Sequence, residues 1–276
     1  MFNKYLPLFI VMLMIGASFS TGASLKIVEP YNATLNNGGS IYLGSVGPGQ
    51  PFYITALSST QNNSGVTILR GWNIMNVSHM PSGWIATNSS TYTQYLSVFI
   101  TPSPNTTTGT YEFNVSAQNV GNYSKLGIVH FTAYVNVTPN VFKLNVYPNS
   151  VSAGPGQPVE IYVQINNTGV SDSPFYITAS GLPAWNRTNQ VIALHQTSRT
   201  FIYPLYEQEP GSYKANITVL SSASSRIKKS AQVNLTIQAS VPNDYQAIGD
   251  GSVGFPVIYE PAYAFMYLIN LILRNL

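Results

Sequence analysis

The feature that most constrains this chain is an internal repeat. Ser45-Val46-Gly47-Pro48-Gly49-Gln50-Pro51 recurs as Ser152-Ala153-Gly154-Pro155-Gly156-Gln157-Pro158, 107 residues later, with only Val46 and Ala153 differing. Three further correspondences keep the same order. Met80-Pro81-Ser82-Gly83-Trp84 answers to Leu182-Pro183-Ala184-Trp185, Gly109-Thr110-Tyr111 through Ser116 to Gly211-Ser212-Tyr213 through Thr218, and Val135-Asn136-Val137-Thr138 to Val233-Asn234-Leu235-Thr236. By the last pair the offset has shrunk to 98, so the first copy carries the longer loops, expected around Ser58 to Asn76. A repeat of this length is one folding unit used twice. The expected organisation is residues 24–139 for the first copy and 140–239 for the second.

Within each copy the periodicity is that of strands. Phe52 to Ala56, Tyr95 to Ile100, Tyr111 to Val115, Val129 to Val137, Phe142 to Val146, Val159 to Ile165, Arg199 to Tyr203, Tyr213 to Val219 and Ala231 to Ile237 are β-branched or aromatic runs. Several alternate with polar residues, as strands with one buried face do, and Gly, Pro, Asn and Ser clusters separate them. Neither copy shows a sustained helical stripe. The fold class predicted is all-β: two tandem immunoglobulin-like β-sandwiches, with about seven short strands per hundred residues, rather than a closed barrel.

The order Gly-Pro-Gly-Gln (47–50 and 154–157), Pro-x-Gly-Trp (81–84) and Gly-x-Tyr-x-x-x-Val (109–115) resembles the NPCBM-associated, alpha-galactosidase-associated Ig-like family. The resemblance spans most of both copies. It implies an Ig-like module of the kind found on surface-layer and other exposed proteins and beside glycosidase domains, acting as a spacer or binding module and not as a catalyst. The second copy departs from the pattern by lacking the Gly before Trp185 and by carrying Gln196-Thr197-Ser198 where a Pro-Gly turn is expected.

Both ends of the chain differ from the repeats. Lys4 precedes an uncharged apolar run from Tyr5 to Ile15, succeeded by the small-x-small patterns Ser18-Phe19-Ser20 and Thr21-Gly22-Ala23. That is the layout of a secretory signal peptide over residues 1–23, with cleavage expected after Ala23. The rival, an uncleaved anchor, needs about 20 apolar residues. At the other end, 240–261 reads as a linker and 262–276 as an apolar tail, predicted helical. Its candidate contact residues are Tyr263, Phe265, Met266, Leu268, Ile269, Ile272 and Leu273. As a helix, the continuous part falls well short of a bilayer's roughly 30 Å core. Three readings stay open: the tail lies in the membrane interface, docks on a partner, or packs on its own sandwiches.

Charged residues make up 8% of the chain, against roughly 25% in typical domains. Uncharged hydrogen-bonding groups must therefore carry solubility. The net charge of +3 is scattered, and its one cluster, Arg226-Ile227-Lys228-Lys229, reads as a solvated turn rather than a nucleic-acid footprint. No cysteine is present, so an exported chain of this kind must rely on core burial and strand pairing. Asn-x-Ser/Thr sequons stand at Asn32, Asn62, Asn76, Asn88, Asn105, Asn114, Asn122, Asn136, Asn166, Asn186, Asn216 and Asn234. Glycans at these candidate sites would supply the hydration that charges do not.

Residues with catalytic potential are few. His79, His130 and His195 show no metal-pair spacing, and a zinc site needs three or four convergent ligands. Glu207 and Glu209 precede Pro210-Gly211 and read as a turn. Beyond Glu29 and Glu112 the first copy offers few acidic partners for glycosidase chemistry. The sequence therefore predicts no enzyme, no cofactor and no metal. Trp84 and Trp185 occupy equivalent repeat positions and are expected to pack. Trp72 has no counterpart, and with Tyr92 and Tyr95 it could form an exposed platform for a sugar or a partner. Taken together, the residues point to an exported, N-glycosylated cell-surface protein of structural or adhesive type. Its expected partners are other envelope proteins or surface glycans, with a membrane interface reached through the tail. The alternative is a carbohydrate-binding or accessory module of a glycosidase system.

Overall fold

A computed structural model describes residues 24–61, 67–69, 71–121, 127–183, 185 and 187–238. The expected signal segment and the apolar tail lie outside them, as do Asn62, Asn122 and Asn186. The described chain is all-β. Its first part contains β1 (Leu25–Glu29), β2 (Ala33–Leu35), β3 (Gly39–Val46), β4 (Phe52–Leu57), β5 (Thr60–Gln61), β6 (Thr67–Ile68), β7 (Ile74–Ser78), β8 (Ile85–Thr87), β9 (Tyr95–Thr101), β10 (Gly109–Gln118) and β11 (Ile128–Val137). The second part contains β12 (Phe142–Tyr147), β13 (Ser150–Ala153), β14 (Val159–Asn167), β15 (Ser173–Ser180), β16 (Thr188–Ala193), β17 (Ser198–Leu205), β18 (Gly211–Ser221) and β19 (Lys228–Ile237). Each of the nine runs named from the sequence lies inside one of these strands.

The strands form Ig-like sandwiches. In the first, the sheet β2-β1-β4-β9-β8 faces the sheet β3-β11-β10-β7; in the second, β12-β14-β17 faces β13-β19-β18-β15-β16. All pairings are antiparallel except β3 with β11 and β13 with β19, the equivalent pair in each copy. In the second copy the chain crosses from one sheet to the other near Pro148, between β12 and β13; in the first, Pro30 lies in the turn between β1 and β2 of one sheet and the crossing follows β2, and both prolines are preceded by cis peptide bonds. The copies differ at two edges: β2 flanks β1 with no counterpart beside β12, and β8 extends the sheet of β9, whereas β16 pairs with β15 on the opposite sheet. The extra length of the first copy holds the small β5-β6 hairpin, inside the loop region expected from the shrinking offset.

Alternation produces the two cores. Phe113, Val115 and Ala117 on β10 point inward beside Val129, Phe131, Ala133 and Val135 on β11, and Ala215, Ile217 and Val219 on β18 do so beside Val233 and Leu235 on β19. Each Val, Leu, Ile or Phe side chain among them contributes about 1.5–3 kcal/mol on full burial.

The repeated motifs now have structural causes. Gly47-Pro48-Gly49-Gln50 is a tight turn with Gly49 at φ +76 and Gln50 N donating to Gly47 O at 3.0 Å. Proline second and a left-handed glycine third are what a type II turn requires. The Gln50 side chain closes the turn again, its Oε1 accepting from Gly47 N at 2.9 Å. Gln157 does the same for Gly154 at 3.0 Å. In both Gly-x-Tyr motifs the tyrosine hydroxyl bonds back to the carbonyl four residues upstream, Tyr111 to Thr107 at 3.1 Å and Tyr213 to Glu209 at 2.9 Å. This is the tyrosine corner of Ig-type sandwiches. Burial, with the Glu207 and Glu209 carboxylates nearby, holds the Tyr213 hydroxyl above the usual tyrosine range, which keeps it a donor.

Candidate functional site

Two regions bring chemistry-bearing groups together, and neither was fully visible in the sequence. The first is the joint between the sandwiches. Only Thr138 to Val141 separate β11 from β12, and the loops at the near end of the second sandwich close directly over the Gly47–Gln50 turn. Val170 N donates to Ser45 O at 2.9 Å, and the Val170 side chain is buried in the first sandwich's core. The Gln50 amide donates to Ser173 Oγ, and Arg226 Nη1 to Thr106 O at 2.8 Å. A Cβ added to Gly47 would lie 2.3 Å from Ile227 Cδ1, and one on Gly49 would lie 2.7 Å from Ala223 O. The glycines therefore permit a close approach of the two units that no other residue would allow.

A small cleft of about 40 Å³ opens beside this joint, lined by Glu29, Tyr53, Val170, Asp172 and His195 among others. His195 Nδ1 stands 2.7 Å from Asp172 Oδ1, and Thr55 Oγ1 donates to Glu29 Oε2 at 2.6 Å. The cleft has room for a few waters at most. Among the described residues no group of three His, Asp or Glu side chains is placed to hold a metal ion.

The second region is the outward face of β4 and β9. Tyr53 and Phe99 are cross-strand partners with ring centroids 4.9 Å apart, and Tyr95 sits opposite Leu57 on the same face. Between these rows Thr55 and Ser97 are linked at 2.9 Å. Beyond Leu57 the face runs into a hollow of about 340 Å³ lined by Ser24, Lys26, Thr34, Leu57, Ser59, Thr60 and Thr67. That volume is at the lower end for small-ligand sites, and the lining is mostly hydroxyls, with one cation and the Leu57 side chain. No sequon lies on β1, β4 or β9.

The expected platform of Trp72, Tyr92 and Tyr95 needs correction. Tyr92 and Tyr95 are 54% and 51% exposed, but Trp72 is 0% exposed and belongs to the first core. The reason is a polar clamp. Asn73 Nδ2 donates to Val120 O at 2.8 Å, Val120 N returns a bond to Asn73 Oδ1 at 2.7 Å, and Asn119 Nδ2 donates to Gly71 O at 3.2 Å. Held at both neighbours, the loop turns Trp72 inward. Trp84 and Trp185 do pack: Trp84 against Tyr111 and Phe113, Trp185 against Tyr203 and Tyr206. Tyr53 and Phe99, the aromatics that do share Tyr95's face, were not singled out in the sequence. Their alternation with Thr55 and Ser97 was the available signal.

The sequon asparagines are all accessible where they are described. Asn32, Asn88, Asn105, Asn216 and Asn234 are exposed, and Asn76, Asn114, Asn136 and Asn166 are half-buried. Asn114 and Asn136 lie on the outward face of β10 and β11, and Asn216 and Asn234 occupy the equivalent positions on β18 and β19. His79, His130 and His195 lie apart, His79 near Asn114 on this same face and His195 at the joint. The residues Tyr263, Phe265, Met266, Leu268, Ile269, Ile272 and Leu273 lie outside the described part.

No family model matches the sequence, and no curated protein matches it. Solved structures resemble it only at the level of fold. The complex of zinc 2-glycoprotein with prolactin inducible protein from human seminal plasma matches at TM-score 0.29 and 11% identity over 36% of this chain and 95% of that one. The titin domains z1z2 in complex with telethonin match at 0.24 and 12% over 79% and 98%. A β-glucosidase from Listeria innocua matches at 0.25 and 16%, covering 34% of this chain and 16% of the enzyme.

Proposed function

We propose that this is an exported cell-surface protein of structural or adhesive type, a non-catalytic spacer of tandem Ig-like units that carries N-linked glycans. The observation that carries the reading is the placement of the sequons. A chain rich in Asn, Ser and Thr produces sequons by chance, but two of them recur at equivalent positions of both copies, on the outward faces of paired strands. Glycans on those faces would hydrate a surface poor in charge. A joint with almost no linker suits a spacer that holds its units in a fixed relation. The NPCBM-associated resemblance, with envelope proteins or surface glycans as partners, fits the same role. Purified from the envelope of its native host, the protein is expected to be heavier than its polypeptide. Asn216→Gln and Asn234→Gln should each remove one glycan's mass. A mass equal to the bare polypeptide would overturn the reading.

The aromatic and hydroxyl strip from Tyr53 to the Ser24–Thr67 hollow favours a second reading, an accessory module that binds carbohydrate. Aromatic faces stack on the apolar face of a sugar while hydroxyls bond its rim. If so, retention on insoluble polysaccharide falls at least tenfold in the Tyr53→Ala, Tyr95→Ala double variant. Equal retention, or none in the parent protein, sinks this alternative.

A further inference from the structure

The outward face of β4 and β9 carries two aromatic stations with a polar row between them. Tyr53 and Phe99 form the first, and Tyr53 is 52% exposed. Tyr95, at the start of β9 and opposite Leu57, forms the second and is exposed to a similar degree. Four residues of strand separate Phe99 from Tyr95. At about 3.3 Å per residue that is about 13 Å, a span that takes about three linked hexoses to bridge.

The row between the stations is Glu29, Thr55 and Ser97, one residue each from β1, β4 and β9. Thr55 Oγ1 donates to Glu29 Oε2 at 2.6 Å and lies 2.9 Å from Ser97 Oγ. The hydroxyl thus fixes one oxygen of an exposed carboxylate and leaves the other to accept from the hydroxyls of a ligand. Lys26 is three residues along β1 from Glu29, in the lining of the hollow, and forms no ion pair with it. On the other side Asp172 and His195 line the same cleft as Glu29, and that histidine is already paired with its own aspartate. The centre of the strip is therefore negative. It suits the hydroxyls of a neutral sugar and repels the carboxylate of a uronic acid.

The second station has a further mark. Tyr92, in the turn that leads into β9, is exposed and held at φ +61. A bulky side chain seldom takes a left-handed backbone, which Gly or Asn adopts at less cost. Tyr92 belongs to neither core, so packing gives no reason for a tyrosine at that position. Backbone strain retained around an exposed ring is a signature of a ligand contact.

We propose that this strip binds a neutral, linear polysaccharide over a run of about three sugars, the stations stacking the outer two and Glu29 selecting hydroxyl over carboxylate between them. The proposal rests on the carbohydrate-binding reading of the same face and adds the length and charge of the ligand. Cello-, manno- and N-acetylchito-oligosaccharides of two to six units, and oligogalacturonides of the same lengths, are titrated into the full chain by calorimetry. In at least one neutral series affinity is expected to rise at least tenfold between two and four units and to level off beyond. That gain should vanish in the Tyr92→Asn, Tyr95→Ala double variant, which keeps the first station, while the two-unit ligand still binds. Oligogalacturonides are expected to bind at least tenfold more weakly than the preferred neutral series. Glu29→Gln, which can keep the Thr55 bond, should narrow that gap at least threefold without moving the melting temperature. Equal affinity for two and six units overturns the proposal, as does a length gain that survives the double variant. So does a preference for oligogalacturonides, or a gap that Glu29→Gln leaves untouched. Absence of binding in every series overturns the carbohydrate reading itself, and the proposal with it.

Discussion

Trp72→Ala is expected to cost the first sandwich about 3–5 kcal/mol, the range for emptying a fully buried large aromatic site. Trp72 is the largest fully buried side chain among the described residues and shares its core with Met75, Leu25 and Ile27. The cavity cannot collapse easily, because Asn73 and Asn119 fix the backbone on either side. Denaturant unfolding should therefore show an early transition for the first sandwich, with the second unfolding as before. Tyr92→Ala and Tyr95→Ala, at exposed positions beside it, should stay within about 0.5 kcal/mol of the parent. A loss of less than about 1 kcal/mol for Trp72→Ala, far below the range for a buried aromatic, would mean that the side chain does not occupy the core. A weakening of ligand binding in that variant would report unfolding and not a lost contact, so the sugar test belongs at Tyr53 and Tyr95.

What could be read in the sequence was local chemistry repeated. Gly-Pro-Gly-Gln specifies its turn through residues within three positions of each other, and Gly-x-Tyr specifies a bond four residues long, so identity of sequence became identity of structure. The long central strands β10, β11, β18 and β19 were legible for the same reason: one face is apolar over most of its length. What escaped was whatever depends on distant partners. Trp72 reads as a loop aromatic until Asn73 finds Val120, 47 residues on. β15 carries the same Phe-Tyr-Ile-Thr-Ala run as β4, at 175–179, and is as legible, whereas β16 is Thr-Asn-Gln before its first apolar residue and passes for loop until its ladder partner is known. The candidate site was hidden in the same way. Tyr53 and Phe99 come together through strand pairing, and the joint cleft pairs Glu29 with Asp172 and His195 from the other unit. Composition had suggested a protein without a catalytic constellation; it contained nothing to say that two glycines of a turn would serve as a bearing surface between units.

That bearing surface yields the second large effect. In a chain ending at Gln238, Gly49→Ala and Gly156→Ala form a matched pair. Both replace a glycine at almost the same left-handed φ, +76 and +73, in the same turn. Each therefore incurs a similar backbone cost of about 1–2 kcal/mol. Only at position 49 does the new methyl meet a neighbour: Ala223 O at 2.7 Å and Pro104 Cα at 3.4 Å, both backbone atoms that cannot swing aside. The second unit must back away from the first, and with it go the Val170–Ser45 and Gln50–Ser173 bonds and the seat of Val170 in the first core. Overpacking of this kind costs a further 1–3 kcal/mol, roughly. Gly49→Ala is thus expected to raise the radius of gyration in small-angle scattering and to open the Thr138–Val141 connection to protease. Gly156→Ala should leave both unchanged while showing the shared loss of thermal stability. Superimposable scattering curves for the two variants would mean that the sandwiches are held by their short connection alone and that the turn bears no load.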